Sequence, residues 1–277
     1  MSYNLLKGKK GIIFGALNDL SIAWKVAERA VEEGAEIVLT NTEISLRMGE
    51  INSLAEKCNA PIIAADATNV EDLEALVDKA MEHFGGKIDF VLHSVGMSPN
   101  VRKNIPYQSL NYTFFDKTLD ISAVSFHKVM QVLYNKNAMN EWGSIVALTY
   151  MAAQRTFVGY GDMADAKALL ESIARSYGAI YGRDHKVRVN TVSQSPTYTT
   201  AGKGVKGMGG MLDFAEAMSP LGNASADECA DYCVTLFSDL TRKVTMQNLY
   251  HDGGFASMGL SEAVYHNFLK GAEQAEE

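Results

Sequence analysis

The sequence is poor in the residues that staple small or unusual folds: among 277 residues there are three cysteines, five prolines and two tryptophans. Cys58, Cys229 and Cys233 are odd in number and sit beside no third ligand type, so neither a disulfide framework nor a bound metal is expected. Reduced thiols in a cytoplasmic protein fit that usage. No apolar run approaches the ~20 residues that a membrane-spanning helix needs. The opening stretch MSYNLLKGKKGIIFG carries only a short apolar segment and runs straight into a patterned strand, so no secretory leader is expected. Positive charge is also short. The formal net charge of −8 argues against broad attraction to nucleic acid or to an anionic membrane. What is present is ordinary globular material, 47% hydrophobic and 21% charged, enough for a substantial core.

Short apolar strands alternate with amphipathic helices along the whole chain. GIIFG reads as a strand ending at Gly15, and SIAWKVAERAVEEG as a helix whose apolar positions recur at three and four before Gly34 stops it. AEIVLTN is a second strand, residues 43–58 a helix, APIIAAD a third strand, and VEDLEALVDKAMEHFG a helix closed by Gly85. KIDFVLHSVG, GSIVALT, KVRVNTVS and TMQNLYHDGG supply four more strands, separated by helices over residues 113–136, 158–182 and SADECADYCVTLFS. Apolar strands without polar alternation indicate a parallel sheet covered on both faces. The expected fold is α/β: a single doubly wound Rossmann-like domain over residues 1–277, with a mostly parallel seven-stranded sheet and ligands at the carboxyl ends of its strands. One stretch breaks the rhythm. Residues 195–225 contain six glycines and follow a strand's carboxyl end, where a long loop is commonly functional, so a substrate lid is expected there.

The turn after the first strand, GALNDLSIA, lacks the three glycines of the usual dinucleotide fingerprint and keeps only Gly15. The physical needs can still be met. Gly15 permits a tight turn, small Ser21 and Ala23 allow close approach, and the Ser21 hydroxyl with the free helix amides would receive a pyrophosphate. The third strand ends at Asp66 beside an adenine-sized slot, and the fourth ends in HSVG, where Ser94 to Gly96 present backbone to a ligand. His93 reads as packing. Past the second strand, Thr42 and Glu43 precede any basic residue; Glu43 would repel a 2′-phosphate or bond a ribose hydroxyl, which favours NADH over NADPH.

In LTYMAAQRTFVGYGDMADAKALLESIA, Tyr150 and Tyr160 lie ten residues apart and Lys167 follows Tyr160 by seven. Seven helical residues return to nearly the same face about 10 Å further along. Tyr160 and Lys167 would thus share a face without direct contact. At that distance the lysine's push towards phenolate weakens. What remains is a phenol able to hydrogen-bond a developing oxyanion.

The order Gly15-turn, HSVG, Tyr150, Tyr160, Lys167, VRVNTVS and HDGGF is similar to that of the short-chain dehydrogenase/reductase superfamily. The tyrosine–nine–tyrosine–six–lysine pattern and the SIA of the turn resemble its bacterial enoyl-acyl-carrier-protein reductases. In the superfamily's common branch a tyrosine stands four residues before the lysine; here that position is Met163. The resemblance implies NADH-dependent reduction of the 2,3 double bond of enoyl thioesters on acyl carrier protein, in a homotetramer. It gives Tyr160 the thioester oxygen, Tyr150 a place in the substrate site and Lys167 the nicotinamide ribose. It also implies a cofactor site of Gly15, Ser21, Ile22, Thr42, Asp66, Ala67, Ser94, Val95, Gly96, Lys167, Pro196 and Thr199. The chain departs from the family at Ser195-Pro196-Thr197, where glycine-proline-isoleucine is usual. Lys203 and Lys206 in the lid would face an acidic carrier. Two other readings compete: a carbonyl reductase, which Met163 opposes, and a dinucleotide sensor, which would have no reason to keep both tyrosines with the lysine.

Overall fold

The computed structural model describes residues 2–47, 50–199 and 208–276. Its strands are β1 (Lys10–Phe14), β2 (Glu36–Thr40), β3 (Ile88–His93), β4 (Met139–Thr149), β5 (Arg188–Gln194) and β6 (Asn248–His251). The helices are α1 (Ile22–Glu32), α2 (Glu43–Leu46), α3 (Glu50–Cys58), α4 (Val70–Phe84), α5 (Pro99–Arg102), α6 (Tyr112–Leu119), α7 (Ser125–Asn135), α8 (Asp162–His185), α9 (Met208–Met218), α10 (Ala226–Phe237) and α11 (Glu262–Glu276). All strand pairs are parallel, in the order β2-β1-β3-β4-β5-β6.

Successive strand residues feed opposite faces. Ile12, Val91, Ile145 and Val189 pack with α4, α7 and α8, while Ile13, Leu92, Val146 and Val192 pack with α1, α3 and α10. The doubly wound expectation holds, and the chain direction across the sheet reverses between β1 and β3. There Phe14 pairs with both Thr40 and His93 in register, so the loops after β1 and β3 leave the sheet side by side. That is where a crevice opens in such a sheet.

Local signals set the element ends. Asn69 caps α4 by accepting from Asp72 N, and Gly85 ends it in the left-handed conformation. Ser225 and Glu228 form a capping box at α10.

Four expectations need correction. The helix expected over 158–182 runs from Asp162 to His185 and is preceded by Gly161 at φ +50°, so Tyr160 stands before the helix and does not share a helical face with Lys167. The sheet has six strands, because APIIAAD makes one isolated bridge, Leu39 with Ile62, and no ladder. It lies at the edge beyond β2 and has Pro61 as its second residue, with no N–H to give; Pro61 O accepts from Leu39 N instead. The helix expected over 43–58 is two, α2 and α3, with residues 48–49 outside the described part. The long helix expected over 113–136 is interrupted by a π-helical turn, Asp120–Val124, between α6 and α7. Such turns recur at functional sites. Here Ser122 lies in the turn, and its hydroxyl both accepts from Met97 N (3.0 Å) and donates to Met97 O (3.1 Å).

Candidate active site

A cavity of about 410 Å³ lies over the carboxyl ends of β1, β3, β4 and β5. Its nucleotide end is built on Gly15. With φ +93°, and with an added Cβ only 2.1 Å from Ser94 O, this position brings the turns after β1 and β3 into contact that no side chain would permit. Asn41, just past β2, donates from Nδ2 to Ala16 O at 2.9 Å and so ties that turn to the neighbouring strand. Ser21 does not cap α1 with its side chain: its hydroxyl donates to Asn18 O and accepts from Leu17 N. The first amides of α1 therefore begin at the cavity wall, where Ser21 and Ile22 are lining residues, with the positive end of the helix behind them.

At the other end, Tyr150, Tyr160 and Lys167 line the same cavity. β4 ends at Thr149, and α8 begins at Asp162, which sets the two tyrosine rings 4.9 Å apart and inclined at 51°. Tyr150 is buried with its hydroxyl unpaired, a phenol without a partner at the cavity wall. Burial, then the neighbouring Tyr160 and Asp252, raises its pKa well above the usual phenol value. Burial alone raises that of Tyr160, with no cation lowering it. Both phenols are thus donors at neutral pH. Lys167, 8% exposed, donates to Leu148 O at 2.9 Å, leaving further N–H groups of its ammonium for a ligand. Its pKa is lowered to about 8 by burial, against the opposing field of Glu171.

Gly96 completes this end. A Cβ there would approach Lys167 Nζ at 3.6 Å, so the strand-end backbone and the ammonium border one space. His93 lies beneath and is packing, as the sequence indicates. Its pKa is held down to about 3 by burial and by the charge of Lys167, and its Nε2 meets Ser125 Oγ at 2.9 Å. Because Ser125 gives its own proton to Ile121 O, the imidazole Nε2 is the donor of that bond.

The structure thus brings together Gly15, Ser21, Ile22, Ser94, Val95, Gly96, Tyr150, Tyr160, Lys167, Pro196 and Thr199. Three expected residues do not line the cavity. Thr42 turns its hydroxyl to cap α2, Asp66 accepts from Thr68 N and Oγ1 within its own turn, and Ala67 is buried in the core against α4. Several lining residues were not anticipated: Asn41, Ser45, Met97, Ser98, Thr149 and Gln194. Asn41 had a signal, a polar residue directly after a strand's carboxyl end. Ser195, the departure noted in the sequence, accepts from Ala224 N at 3.1 Å and so joins the end of β5 to the segment before α10. Of the expected lid, residues 200–207, with Lys203 and Lys206, lie outside the described part. Met211 of α9 reaches the cavity.

The residues fit a dinucleotide: a glycine turn that excludes any side chain, uncapped helix amides, and a buried cation beside an orphaned phenol. Comparison with known proteins agrees. The family described as Enoyl-(Acyl carrier protein) reductase matches residues 15–256. Enoyl-[acyl-carrier-protein] reductase [NADH] 2 of Rhizobium meliloti is 33% identical over 264 residues, covering 94% of this chain and 97% of that protein. The FabI–NADH complex from Alistipes finegoldii superposes with a TM-score of 0.93 at 74% identity, covering 95% of this chain and 93% of the other. The Bacillus cereus enoyl-acyl carrier protein reductase, solved with NADP+ and indole naphthyridinone, gives a TM-score of 0.86 at 31% identity over 94% of this chain and 100% of its own.

Proposed function

The chain belongs to the bacterial enoyl-acyl-carrier-protein reductases and reduces enoyl thioesters with NADH in fatty-acid synthesis, and from that premise we propose how its own residues divide the work. When bound, NADH supplies the hydride that adds to the β-carbon of the enoyl group. Negative charge then builds on the thioester oxygen, as an enolate, before a proton completes the α-carbon. Tyr160 donates its hydroxyl to that oxygen, and burial keeps the phenol protonated for the purpose. Tyr150, its hydroxyl otherwise unpaired, lines the substrate side beside it. Lys167 would hold the ribose hydroxyls with the ammonium N–H groups that Leu148 O does not use. Gly15, Ser21, Ile22, Ser94, Val95, Gly96, Pro196 and Thr199 complete the cofactor side.

The observation that carries this assignment is the meeting of Tyr150, Tyr160 and Lys167 with the Gly15 turn in one cavity. Met163, in the place four residues before Lys167, is a lining thioether and leaves no phenol for carbonyl chemistry there. The test is loss of NADH absorbance with crotonyl-CoA against acetoacetyl-CoA. Turnover of the enoyl thioester alone is expected, and preference for the ketone would overturn the assignment.

The natural substrate is carried by acyl carrier protein in the cytoplasm. The enzyme works as a homotetramer. Support for assembly comes from β6 at the open sheet edge, with Tyr250 exposed, and from exposed Tyr265 and Phe268 on α11. Sedimentation at micromolar concentration tests it, and a monomer would refute it. Among the described residues, no helix is long and apolar enough to cross a membrane.

A further inference from the structure

Asp162 is a fully buried carboxylate that no step above uses. It opens α8, two residues after Tyr160, and collects three side-chain donors from two other elements. Its Oδ1 accepts from Ser98 Oγ at 2.6 Å, and its Oδ2 accepts from Asn100 Nδ2 at 2.7 Å and meets Thr118 Oγ1 at 2.9 Å, whose single proton is shared with Phe114 O at 2.8 Å. Asn100 and Thr118 are themselves fully buried and Ser98 nearly so. A carboxylate at the first position of a long helix also lies in the favourable field of the helix amino end.

These bonds converge on one piece of chain. Ser98, Val101 and Arg102 line the same cavity as Tyr160. Ser98 Oγ, besides donating to Asp162, accepts from Val101 N and so caps α5. Asn100 continues the network by exchanging hydrogen bonds with the backbone of Asn111, at 3.2 Å in each direction. Between Tyr160 and Asp162, Gly161 adopts φ +50° and ψ −139°, and a Cβ on it would stand 3.3 Å from Val101 Cγ2. The backbone beside Tyr160 and the wall formed by Ser98–Arg102 are therefore packed against each other and bonded through a single carboxylate.

We propose that Asp162 is a positioning residue for the reaction: it locks the 98–102 wall to the start of α8 and thereby fixes the acyl side of the cavity against Tyr160. The proposal rests on the assignment of Tyr160 above. The cofactor side has supports outside the network, namely the Gly15 turn and Asn41, so the network acts on the enoyl substrate more than on NADH. A residue that only stabilised the fold would affect both ligands together or neither.

The experiment is steady-state kinetics of the full-length enzyme with crotonyl-CoA, alongside NADH titration by protein fluorescence. Asp162→Asn keeps the volume but sets an amide N–H₂ against donors that need an acceptor. It is expected to cut kcat/KM for crotonyl-CoA by about tenfold or more, the scale on which misplaced reacting groups lose rate, with the NADH dissociation constant within about twofold of wild type. Thr118→Val, which touches no cavity wall, removes one donor and is expected to give a smaller loss of about threefold in the same direction. The two effects should be less than additive in the double variant, because Thr118→Val already removes a donor that the amide would oppose. Wild-type kcat/KM in a folded Asp162→Asn enzyme would overturn the proposal, as would an equal loss of NADH affinity. Should that variant not fold, an unchanged kcat/KM in Thr118→Val overturns it. A wild-type enzyme inactive on crotonyl-CoA would instead count against the assignment of the cavity.

Discussion

In the proposed assignment, Tyr160 and Lys167 serve the reaction by opposite uses of burial. Burial drives the Tyr160 phenol up, so it stays a donor, and drives the Lys167 ammonium down to about 8, so it is close to losing its proton. For Tyr160→Phe the ring remains and only the hydrogen bond goes. Loss of one oxyanion donor costs up to ~10²–10³ in turnover, and water replacing the phenol would make the fall smaller. A reduced but measurable rate with an unchanged NADH dissociation constant is expected between pH 6 and 9, whereas complete silence would favour obligatory proton donation by Tyr160. For Lys167 the sign follows from the direction of the shift. A base with a lowered pKa is charged below about 8 and neutral above it, so NADH affinity should be flat at lower pH and weaken as pH rises through that value. Lys167→Ala should weaken binding by ~1.5–3 kcal/mol and flatten the pH profile. Titration of both proteins from pH 6 to 10 checks this; a variant that keeps the wild-type profile would remove Lys167 from the cofactor site.

Elements bring these residues together through strand ends more than through helix faces, and that decides what the sequence could reveal. Lys167 was legible on its helix, but the seven-residue helical spacing to Tyr160 was not the real link: Tyr160 precedes α8 across Gly161, and the two meet because both line one cavity. Gly15 was legible as the last glycine of a reduced fingerprint. The network of Asp162 with Ser98, Asn100 and Thr118 had no local signature, since its members come from three stretches of the chain and meet only when α5 and α6 pack on the start of α8. The expected third strand fails because a short apolar run suits the margin of a sheet as well as its interior, and only sheet order distinguishes them. The π-helical turn after α6 was invisible for a related reason: it adds a residue to a turn without disturbing the apolar pattern. At this scale the sharpest prediction concerns the β1 turn. Gly15→Ala places a methyl group 2.1 Å from Ser94 O at φ +93°, so either the β3 end or the turn must move. A lower melting temperature together with weaker NADH binding is expected, by thermal denaturation and fluorescence titration. Wild-type NADH affinity would show that the turn is no part of the cofactor site.

For the whole molecule, the cavity draws on the ends of four parallel strands and on α8, so a bound dinucleotide ties the two halves of the sheet into one cooperative unit. A ligand that binds only the folded state raises stability by RT ln(1 + [L]/Kd), which is about 2.7 kcal/mol at a hundredfold excess over Kd. With about 2–4 °C per kcal/mol for chains near this size, NADH should raise the melting temperature by roughly 5–10 °C. NADPH should do less at the same concentration. Past the end of β2 stand Thr42, whose hydroxyl is occupied in capping α2, and Glu43, which is exposed. The cation nearest in sequence, Arg47, faces Glu43 in a 3.4 Å ion pair, so a 2′-phosphate would meet a carboxylate before it met a free guanidinium. Both partners of that pair are well exposed, and such a pair is weak, so reversing the charge at position 43 should act mainly on the ligand and little on the fold. Glu43→Arg should therefore leave the ligand-free melting temperature nearly unchanged, shrink the gap between the NADH and NADPH shifts, and raise kcat/KM for NADPH. Melting curves of both proteins with each cofactor decide the matter. Equal shifts with NADH and NADPH in the wild-type protein would mean that the end of β2 does not select the cofactor, and selectivity would then have to be sought among Leu17, Asn41 and Ser45 on the same rim of the cavity.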